Sequence, residues 1–149
     1  MSNLREKVPV TWEEIKRDSA LLAEKLKNDY DELPTRILAV SRGGLIPAAL
    51  VIRSLGIKDI ETIGLESYDD EQGHDQTVAM LKAAHPNYLE DTLVIDDLVD
   101  SGKTLEYLRP LTKNCIFATL YAKPNGEPYT DCFVRLFDQE TWVDFPWEV

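Results

Sequence analysis

Hydrophobic positions repeat at three-to-four-residue spacing near the start of the chain and predict a helix. Thr11 and Glu14 have the spacing of a capping box, in which two side chains bond unpaired backbone N–H groups at a helix start. The residues at helical spacing are Trp12, Ile15, Ser19, Leu22, Ala23 and Leu26. The pattern predicts one amphipathic helix that ends near Asn28, before Leu33-Pro34.

Short apolar runs between glycine turns predict strands that alternate with helices. Residues 36–41 read Arg-Ile-Leu-Ala-Val-Ser and precede a Gly43-Gly44 turn and a helix that ends at Gly56. Further runs predict strands at 60–65, 92–96, 115–122 and 133–136 and a helix at 105–111. The run 92–96 is apolar on both faces, which is typical of a central parallel strand. The alternation predicts an α/β fold with a parallel, doubly wound sheet.

Length and charge limit the domain organisation and the partners. The chain has 149 residues, of which 44% are hydrophobic, and its formal net charge is −11. One domain spanning residues 1–149 with a sizeable core is expected from this length. Nucleic acids and anionic membranes bind clustered Lys and Arg, and no run of four basic residues occurs, so we expect neither partner. The longest apolar run, Leu45 to Ile52, is too short to cross a bilayer.

The N-terminus and the cysteines indicate a cytoplasmic protein. The first residues lack the apolar stretch and the cleavage site of a secretory signal. Cys115 and Cys132 form no CxxC motif, and strand-like apolar residues flank both. We expect two reduced, mostly buried thiols. His74 and His85 lie among polar residues without partner spacing, and we expect them to be exposed and not catalytic.

A first candidate ligand loop follows the strand at 36–41. Ligands of open α/β sheets bind beyond the carboxyl ends of the strands. In the loop Ser41-Arg42-Gly43-Gly44, the glycines permit close backbone approach and the guanidinium of Arg42 can bond phosphate oxygens. A Gly-Gly turn also occurs there for purely geometric reasons, so this loop alone does not establish a site.

A second loop, from Val94 to Thr104, carries more chemistry. Its acids Asp96, Asp97 and Asp100 precede a Ser-Gly-Lys-Thr turn that opens a helix. Backbone amides and hydroxyls at a helix start suit a phosphate, whereas paired acids suit ribose hydroxyls and Mg²⁺. A purely solvated turn is disfavoured because three neighbouring carboxylates repel one another. A nucleotide-hydrolysing P-loop is also disfavoured, because that motif needs glycine where Asp97 stands.

Residues 94–104 resemble the signature with which phosphoribosyltransferases bind 5-phosphoribosyl-1-pyrophosphate, two acids followed by Asp-Ser/Thr-Gly-Lys/Gly-Thr. Three further segments come in the family's order. Ser41–Gly44 is similar to the pyrophosphate loop, Ser67-Tyr68-Asp69 to the start of the flexible hood, and Ala122-Lys123-Pro124 with Thr141-Trp142-Val143 to the purine site. The nearest resemblance is to the bacterial xanthine-guanine phosphoribosyltransferases among the 6-oxopurine enzymes. Lys103 stands where those enzymes typically have glycine. A lysine at this position resembles the hypoxanthine-guanine branch instead.

The resemblance implies both a fold and an activity. The fold would be the type I phosphoribosyltransferase fold, a mostly parallel twisted sheet flanked by helices. The acidic, aperiodic stretch from Ser67 to about Thr77 would form a flexible hood. The activity would be purine salvage, with Mg²⁺-dependent transfer of phosphoribose to guanine, xanthine or hypoxanthine by a homodimer or homotetramer. Two alternatives stay open, a regulator of this fold that senses 5-phosphoribosyl-1-pyrophosphate and a transferase for another base.

The resemblance also assigns residues to the phosphate and metal sites. Arg42, Gly43 and Gly44 would bind pyrophosphate, with a cis peptide bond that we place at Arg42-Gly43. The 5-phosphate would be bound by Ser101, Gly102, Lys103 and Thr104. Asp96 and Asp97 would hold the ribose hydroxyls and Mg²⁺, with Glu148 near a second metal ion. Ser67 and Tyr68 would contact the substrate from the hood.

At the purine site the resemblance gives four residues a role. Asp100 corresponds to the acid that accepts the purine N7 proton as a general base. The Lys123 ammonium only donates hydrogen bonds, so it would favour a 6-oxo group over the amino group of adenine. Trp142 would stack on the purine, and the Val143 carbonyl would contact the substituent at position 2. A solvated Lys123 and a Trp142 in the core are the alternatives.

Overall fold

The computed structural model describes residues 6–69 and 76–149. In chain order the strands are β1 (Lys7–Pro9), β2 (Arg36–Ser41), β3 (Asp59–Asp69), β4 (Gln76–Lys82), β5 (Leu93–Val99), β6 (Ile116–Ala122), β7 (Arg135–Leu136) and β8 (Trp142–Asp144). The α-helices in these ranges are α1 (Trp12–Asp29), α2 (Leu45–Leu55) and α3 (Lys103–Leu108).

A six-stranded sheet of order β4-β3-β2-β5-β6-β7 forms the centre of the protein. Neighbouring strands in it are parallel, except that β3 and β4 pair antiparallel at one edge. The predicted mostly parallel α/β sheet is therefore confirmed. Strands β1 and β8 form a separate parallel pair that the sequence did not predict, because three residues are too few to show a period.

The main error concerns the stretch 67–77, which was predicted to be a loop. Ser67 and Tyr68 lie in β3, which pairs with β4 from Gln76 onward. Strand β4 lies at the sheet edge and most of its residues are exposed, so its sequence lacks an apolar period. Residues 70–75 of the expected hood, with His74 among them, lie outside the described residues. The mobility of the hood stays a prediction.

Helix α1 begins as predicted. The backbone N–H of Glu14 donates to Thr11 Oγ1 at 3.1 Å, and Thr11 N–H donates to Glu14 Oε1 at 3.4 Å. The buried face of α1 consists of Ile15, Asp18, Ser19, Leu22, Ala23 and Leu26. Trp12 does not belong to this face, since 54% of it is exposed, and its ring instead lies 6.0 Å from that of Trp147. Asp18 joins the face because its carboxylate accepts a hydrogen bond from the buried Tyr121 hydroxyl.

Strand β2 shows how the sheet separates two apolar layers. Ile37 and Ala39 belong to the layer that contains buried residues of α1 and α2, whereas Leu38 and Val40 belong to the layer that contains those of α3. Because helices cover both faces, all four of these residues are buried. This arrangement fixes the carboxyl ends of β2 and β5 side by side.

Several predicted boundaries shift by a few residues. Strand β5 extends to Val99 and therefore includes Asp96 and Asp97. Helix α3 gives way to a 3-10 turn at Arg109, because Pro110 lacks the N–H that a longer helix needs. Strand β7 is confined to Arg135–Leu136, and β6 begins one residue later than predicted.

The side chains outside the site agree with most expectations. Cys115 and Cys132 are free thiols, and Cys132 is buried. His85 is exposed, and its Nδ1 accepts the backbone N–H of Asn87 at 3.2 Å. Within residues 6–69 and 76–149, no helix has the length and apolar character that crossing a membrane requires.

Candidate active site

The loop after β2 makes a tight turn into α2. Gly44 N–H donates to Val40 O at 2.8 Å, and Leu45 N–H donates to Arg42 O at 3.1 Å. The cis peptide bond lies between Ser41 and Arg42, so the predicted position at Arg42-Gly43 was wrong by one bond. The hydrogen bond from Leu45 N–H to Arg42 O closes the turn over residues 42–45. The cis bond comes just before this turn, at the end of β2.

Two glycines in this turn pack closely against β5. A β-carbon at Gly43 would lie 2.6 Å from Asp97 Oδ2. A β-carbon at Gly44 would overlap the carbonyl oxygen of Ile95 and lie 2.8 Å from that of Val40. Residues without side chains therefore let the loop approach the acidic end of β5.

The acids Asp96 and Asp97 form a partly buried pair near the end of β5. Asp97 N–H donates to Asp96 Oδ1 at 2.8 Å. Burial raises the pKa of Asp96 well above its usual range, and the Asp97 charge raises it further. Burial also raises the pKa of Asp97, and the charge of Glu148 adds to this effect. Two carboxylates held side by side and partly shielded from water favour a bound cation or hydroxyl donors.

The loop at the start of α3 lines a cavity of about 280 Å³. Gly102 has φ of 90°, and a β-carbon there would overlap the Tyr129 ring. Ser101 Oγ donates to Gln76 Oε1 at 2.6 Å, and Ser67 Oγ lies 3.3 Å from Thr104 Oγ1. The hydroxyl-bearing residues Ser67, Ser101 and Thr104 thus line a cavity with room for a phosphate group.

Lys103 contributes to this cavity in a different way from its neighbours. Its ammonium is exposed and lies 3.7 Å from Glu106 Oε2 on the helix surface. Its backbone N–H donates to Ser101 Oγ at 3.3 Å. Lys103 is the first residue of α3 and lines the first cavity, while its ammonium lies toward Glu106 on the helix surface.

A second cavity, of about 270 Å³, lies beside the first. Lys123 is only 1% exposed, and its Nζ lies 3.1 Å from Asp100 Oδ2. Trp142 is 48% exposed at the cavity wall, and Val143 is buried next to it. Lys123 is therefore not a solvated strand-end lysine, and Trp142 is not a core aromatic residue.

The third cavity, of about 520 Å³, lies between the β2 loop and the C-terminal segment. Arg42 and Gly43 line one side, and Trp147 and Glu148 line the other. The ring of Trp147 stacks on Phe145 with centroids 4.7 Å apart, which anchors this segment to the core. Glu148 also lines the second cavity and is exposed.

Most of the predicted site residues meet in these three cavities. Asp97 lines all three, and Asp100 lines the first two. Gly44 lines none of the three and acts through its packing against β5. Tyr68 also lines none of them, because it lies on β3 with its hydroxyl donating to Glu66 Oε2 at 2.7 Å.

Sequence reasoning missed two residues of the site. Gln76 lies at the start of β4, the strand that was not predicted, and accepts the Ser101 hydroxyl. Gln139 lies in the turn before β8 and donates to Asp100 Oδ1 at 2.8 Å. Neither glutamine stands in a motif, and only the long-range pairing of the chain brings it to the site.

Comparison with known proteins gives consistent matches along the chain. Residues 11–149 match the family described as phosphoribosyl transferase domain. A xanthine-guanine phosphoribosyltransferase of Gluconobacter oxydans (strain 621H) is 44% identical over 142 residues, covering 93% of this chain and 83% of that protein. One of Cereibacter sphaeroides (strain ATCC 17025 / ATH 2.4.3) is 39% identical over 145 residues, covering 94% and 86%.

A solved structure agrees with the matches in sequence. The purine phosphoribosyltransferase from Pyrococcus horikoshii Ot3 is 32% identical and superimposes with a TM-score of 0.79, covering 97% of this chain and 95% of that one. Sequence and fold thus match over nearly the whole chain, and the signature loop at 94–104 lies at the junction of the three cavities. The chain belongs to the phosphoribosyltransferase family.

Proposed function

We propose that this protein is a purine salvage enzyme that transfers the 5-phosphoribosyl group from 5-phosphoribosyl-1-pyrophosphate to a 6-oxopurine. The products would be the nucleoside 5′-monophosphate and pyrophosphate, with guanine, xanthine or hypoxanthine as the base. The observation that carries the proposal is the meeting of three cavities at Asp97. In one substrate the ribose carries both the phosphate and the diphosphate, and the reaction transfers this ribose from the diphosphate to the purine, so the three groups must meet around one sugar.

The reaction sets three requirements for the site. The bond from ribose C1′ to the pyrophosphate oxygen breaks, and a bond from C1′ to a purine nitrogen forms. The electron pair of the broken bond leaves with pyrophosphate, and the proton of the purine needs an acceptor. The site must therefore hold two anionic groups, stabilise positive charge on the sugar and accept one proton.

The two anionic groups would occupy the two glycine-containing loops. Ser101 to Thr104 would bind the 5-phosphate through backbone amides and hydroxyls in the first cavity. Arg42, Gly43 and Gly44 would bind the diphosphate, with the exposed Arg42 guanidinium donating to its oxygens. Because Gly43 packs on Asp97, the diphosphate would lie directly beside the acidic end of β5.

The acidic pair fits Mg²⁺ when substrate oxygens complete the coordination. Within the described part of the chain, no three His, Cys, Asp or Glu residues form a group that could hold a metal ion alone. Mg²⁺ typically binds one or two carboxylates together with substrate phosphates. Asp96 and Asp97 would hold the ion and the ribose hydroxyls, and Glu148 would add a carboxylate near the diphosphate. When bound, Mg²⁺ supplies charge neutralisation of the diphosphate.

The base would occupy the second cavity. Asp100 accepts one bond from Lys123 and one from Gln139, and a carboxylate has about four lone-pair sites, so it can still accept a proton from purine N7. Lys123 has three donors and can bond Asp100 and a 6-oxo group together. Trp142 would stack on the ring, and the Val143 carbonyl would contact position 2.

The Lys123 ammonium and the net charge of the chain each weigh against one of the two alternatives. The amino group of adenine would face the Lys123 ammonium with donor against donor, so a 6-oxopurine is favoured. A regulator that binds nucleic acid needs a basic face, whereas this chain has a net charge of −11.

The assembly and the compartment are part of the proposal. A homodimer or homotetramer is supported by exposed apolar side chains on edge strand β4, where Met80 and Leu81 face solvent. A cytoplasmic location is supported by the free thiols of Cys115 and Cys132, which suit a reducing compartment.

A panel assay tests the proposed function directly. The purified protein is incubated with 5-phosphoribosyl-1-pyrophosphate, Mg²⁺ and one base at a time from guanine, xanthine, hypoxanthine and adenine, and nucleotides are separated by chromatography. We expect a monophosphate from at least one 6-oxopurine and none from adenine. No product from any 6-oxopurine, or preferential use of adenine, would contradict the proposal.

A further inference from the structure

We propose that Gln139 is a positioning residue that orients the Asp100 carboxylate for proton transfer. The inference rests on the proposed function, in which Asp100 is the general base. Gln139 lies in the turn between β7 and β8, where its neighbours Asp138 and Glu140 are exposed. Only the side chain of Gln139 is partly buried in this group of three, and it reaches inward to the loop after β5.

The side-chain amide of Gln139 connects three loops. Its Nε2 donates to Asp100 Oδ1 at 2.8 Å and also lies 3.3 Å from the Asp100 carbonyl oxygen. Its Oε1 accepts the backbone N–H of Asn125 at 2.8 Å. Asn125 belongs to the turn that starts at Lys123, which Gly126 N–H closes by donating to Lys123 O at 2.9 Å. One side-chain amide therefore bonds both Asp100, the proposed general base, and the turn that follows Lys123.

The orientation of this amide is set by its partners. A backbone N–H only donates, so the amide oxygen must face Asn125. An ionised carboxylate only accepts, so the amide NH₂ must face Asp100. Asp100 is 46% exposed and would otherwise sample several rotamers. With Oδ1 bonded to Gln139 and Oδ2 to Lys123, one rotamer is held with lone pairs left toward the cavity.

A purely structural role for Gln139 predicts different behaviour. If Gln139 only supported its turn, its loss would displace neighbouring Trp142 and weaken binding of the base. If it orients Asp100, its loss lowers kcat and leaves the KM values for both substrates nearly unchanged. Loss of one hydrogen bond to a charged group predicts a fall in kcat of about 10- to 100-fold.

Two substitutions separate these roles. Gln139→Met keeps the length of the side chain and removes both bonds, whereas Gln139→Glu keeps the acceptor for Asn125 N–H and places a carboxylate against Asp100. Positioning predicts that Gln139→Glu loses at least as much kcat as Gln139→Met. Turn support predicts that Gln139→Glu behaves like wild type, and this result would overturn the inference. Glu140→Gln, at an exposed position of the same turn, is the control and should keep wild-type kcat.

A double-mutant cycle tests whether the effect passes through Asp100. In the Asp100→Asn background, Gln139→Met should change kcat by less than about 3-fold, because the oriented base is already absent. An undiminished effect there would overturn the inference. Circular dichroism and thermal unfolding check that each variant is folded.

A spectroscopic readout keeps this test separate from that of the proposed function. The ¹³C resonance of the Asp100 carboxyl, assigned with Asp100→Asn, should shift in Gln139→Met and stay unchanged in Glu140→Gln. If the wild-type protein makes no nucleotide, the proposed function is wrong, while the resonance still reports whether Gln139 holds Asp100. An unchanged resonance in Gln139→Met would overturn the positioning role in either case.

Discussion

The proposed site has two halves that are built differently. The phosphate half, residues 41–44 and 101–104, is formed mainly by backbone and small side chains in two short loops. The base half is formed by Asp100, Lys123, Gln139, Trp142 and Val143, which come from four separate segments. Each loop of the first half is closed by hydrogen bonds that are local in sequence, as from Gly44 N–H to Val40 O, whereas the side-chain bonds that join the second half are long-range.

This difference explains what each half demands of the sequence. The phosphate half relies on glycines, because a β-carbon at Gly44 or Gly102 would overlap a neighbouring segment, and one at Gly43 would displace the Asp97 carboxylate. The base half needs particular functional groups held by partners, as the Lys123–Asp100 pair shows. We therefore expect damage to the phosphate half to affect 5-phosphoribosyl-1-pyrophosphate, and damage to the base half to affect purine binding or proton transfer.

Removing Mg²⁺ should have the largest effect and should act on the phosphate half. Asp96 and Asp97 are acidic neighbours of the diphosphate loop, so without a cation the substrate charge would be repelled. We expect turnover to be lost in excess chelator and restored when Mg²⁺ is added beyond the chelator. Steady-state assays with each 6-oxopurine measure this. Full turnover in chelator would contradict the assignment of the acidic pair.

Asp100→Asn should have the next largest effect and act only on catalysis. The amide keeps the size of the carboxylate but cannot accept a proton, so kcat should fall by ~10²–10⁴-fold. Affinity for 5-phosphoribosyl-1-pyrophosphate, measured by calorimetry, should change much less. Collapse of that affinity with kcat preserved would instead make Asp100 a ribose or metal ligand.

The phosphate half could largely be predicted from the sequence, whereas the base half could be predicted only in part. Residues 36–44 and 94–104 combine an apolar strand with a glycine turn, so local pattern alone placed both loops at the carboxyl ends of strands. Lys123 and Trp142 were identified only through resemblance. Gln139 was missed because the fold brings its turn next to Asp100, 39 residues away in the chain, and no local pattern encodes that contact.

The errors in the fold have the same physical origin. Strand β4 is an exposed edge strand, and β1 and β8 are three residues each, so none of them shows a buried period. Their pairing is set by contacts between distant segments, such as Val8 with Val143. The position of the cis bond also depended on the exact turn geometry, and the motif located the loop without specifying the bond.

Lys123→Ala should affect the base half alone. In the proposed site the buried ammonium donates to the 6-oxo group, so kcat/KM for the base should fall by about 30-fold, or ~2 kcal/mol. Affinity for 5-phosphoribosyl-1-pyrophosphate should be preserved. Lys113→Ala, which removes an exposed lysine paired with Glu90 on the surface, is the control and should be silent. An unchanged rate with guanine would remove Lys123 from the purine site.

Gly43→Ala should have the smallest effect and should act on the phosphate half alone. The added methyl group would lie 2.6 Å from Asp97 Oδ2, so the carboxylate must shift to make room for it. Because a side chain can yield more easily than backbone, we expect a cost of about 1 kcal/mol, or roughly 5-fold in KM for 5-phosphoribosyl-1-pyrophosphate. The KM for the base should stay the same. Gly56→Asn, at the left-handed end of α2, is the control. Asparagine tolerates the φ of 69° there, and a β-carbon at this position would have no neighbouring atom within 4 Å. A larger change in the KM for the purine than in that for 5-phosphoribosyl-1-pyrophosphate would show that the two halves are not separable at Asp97.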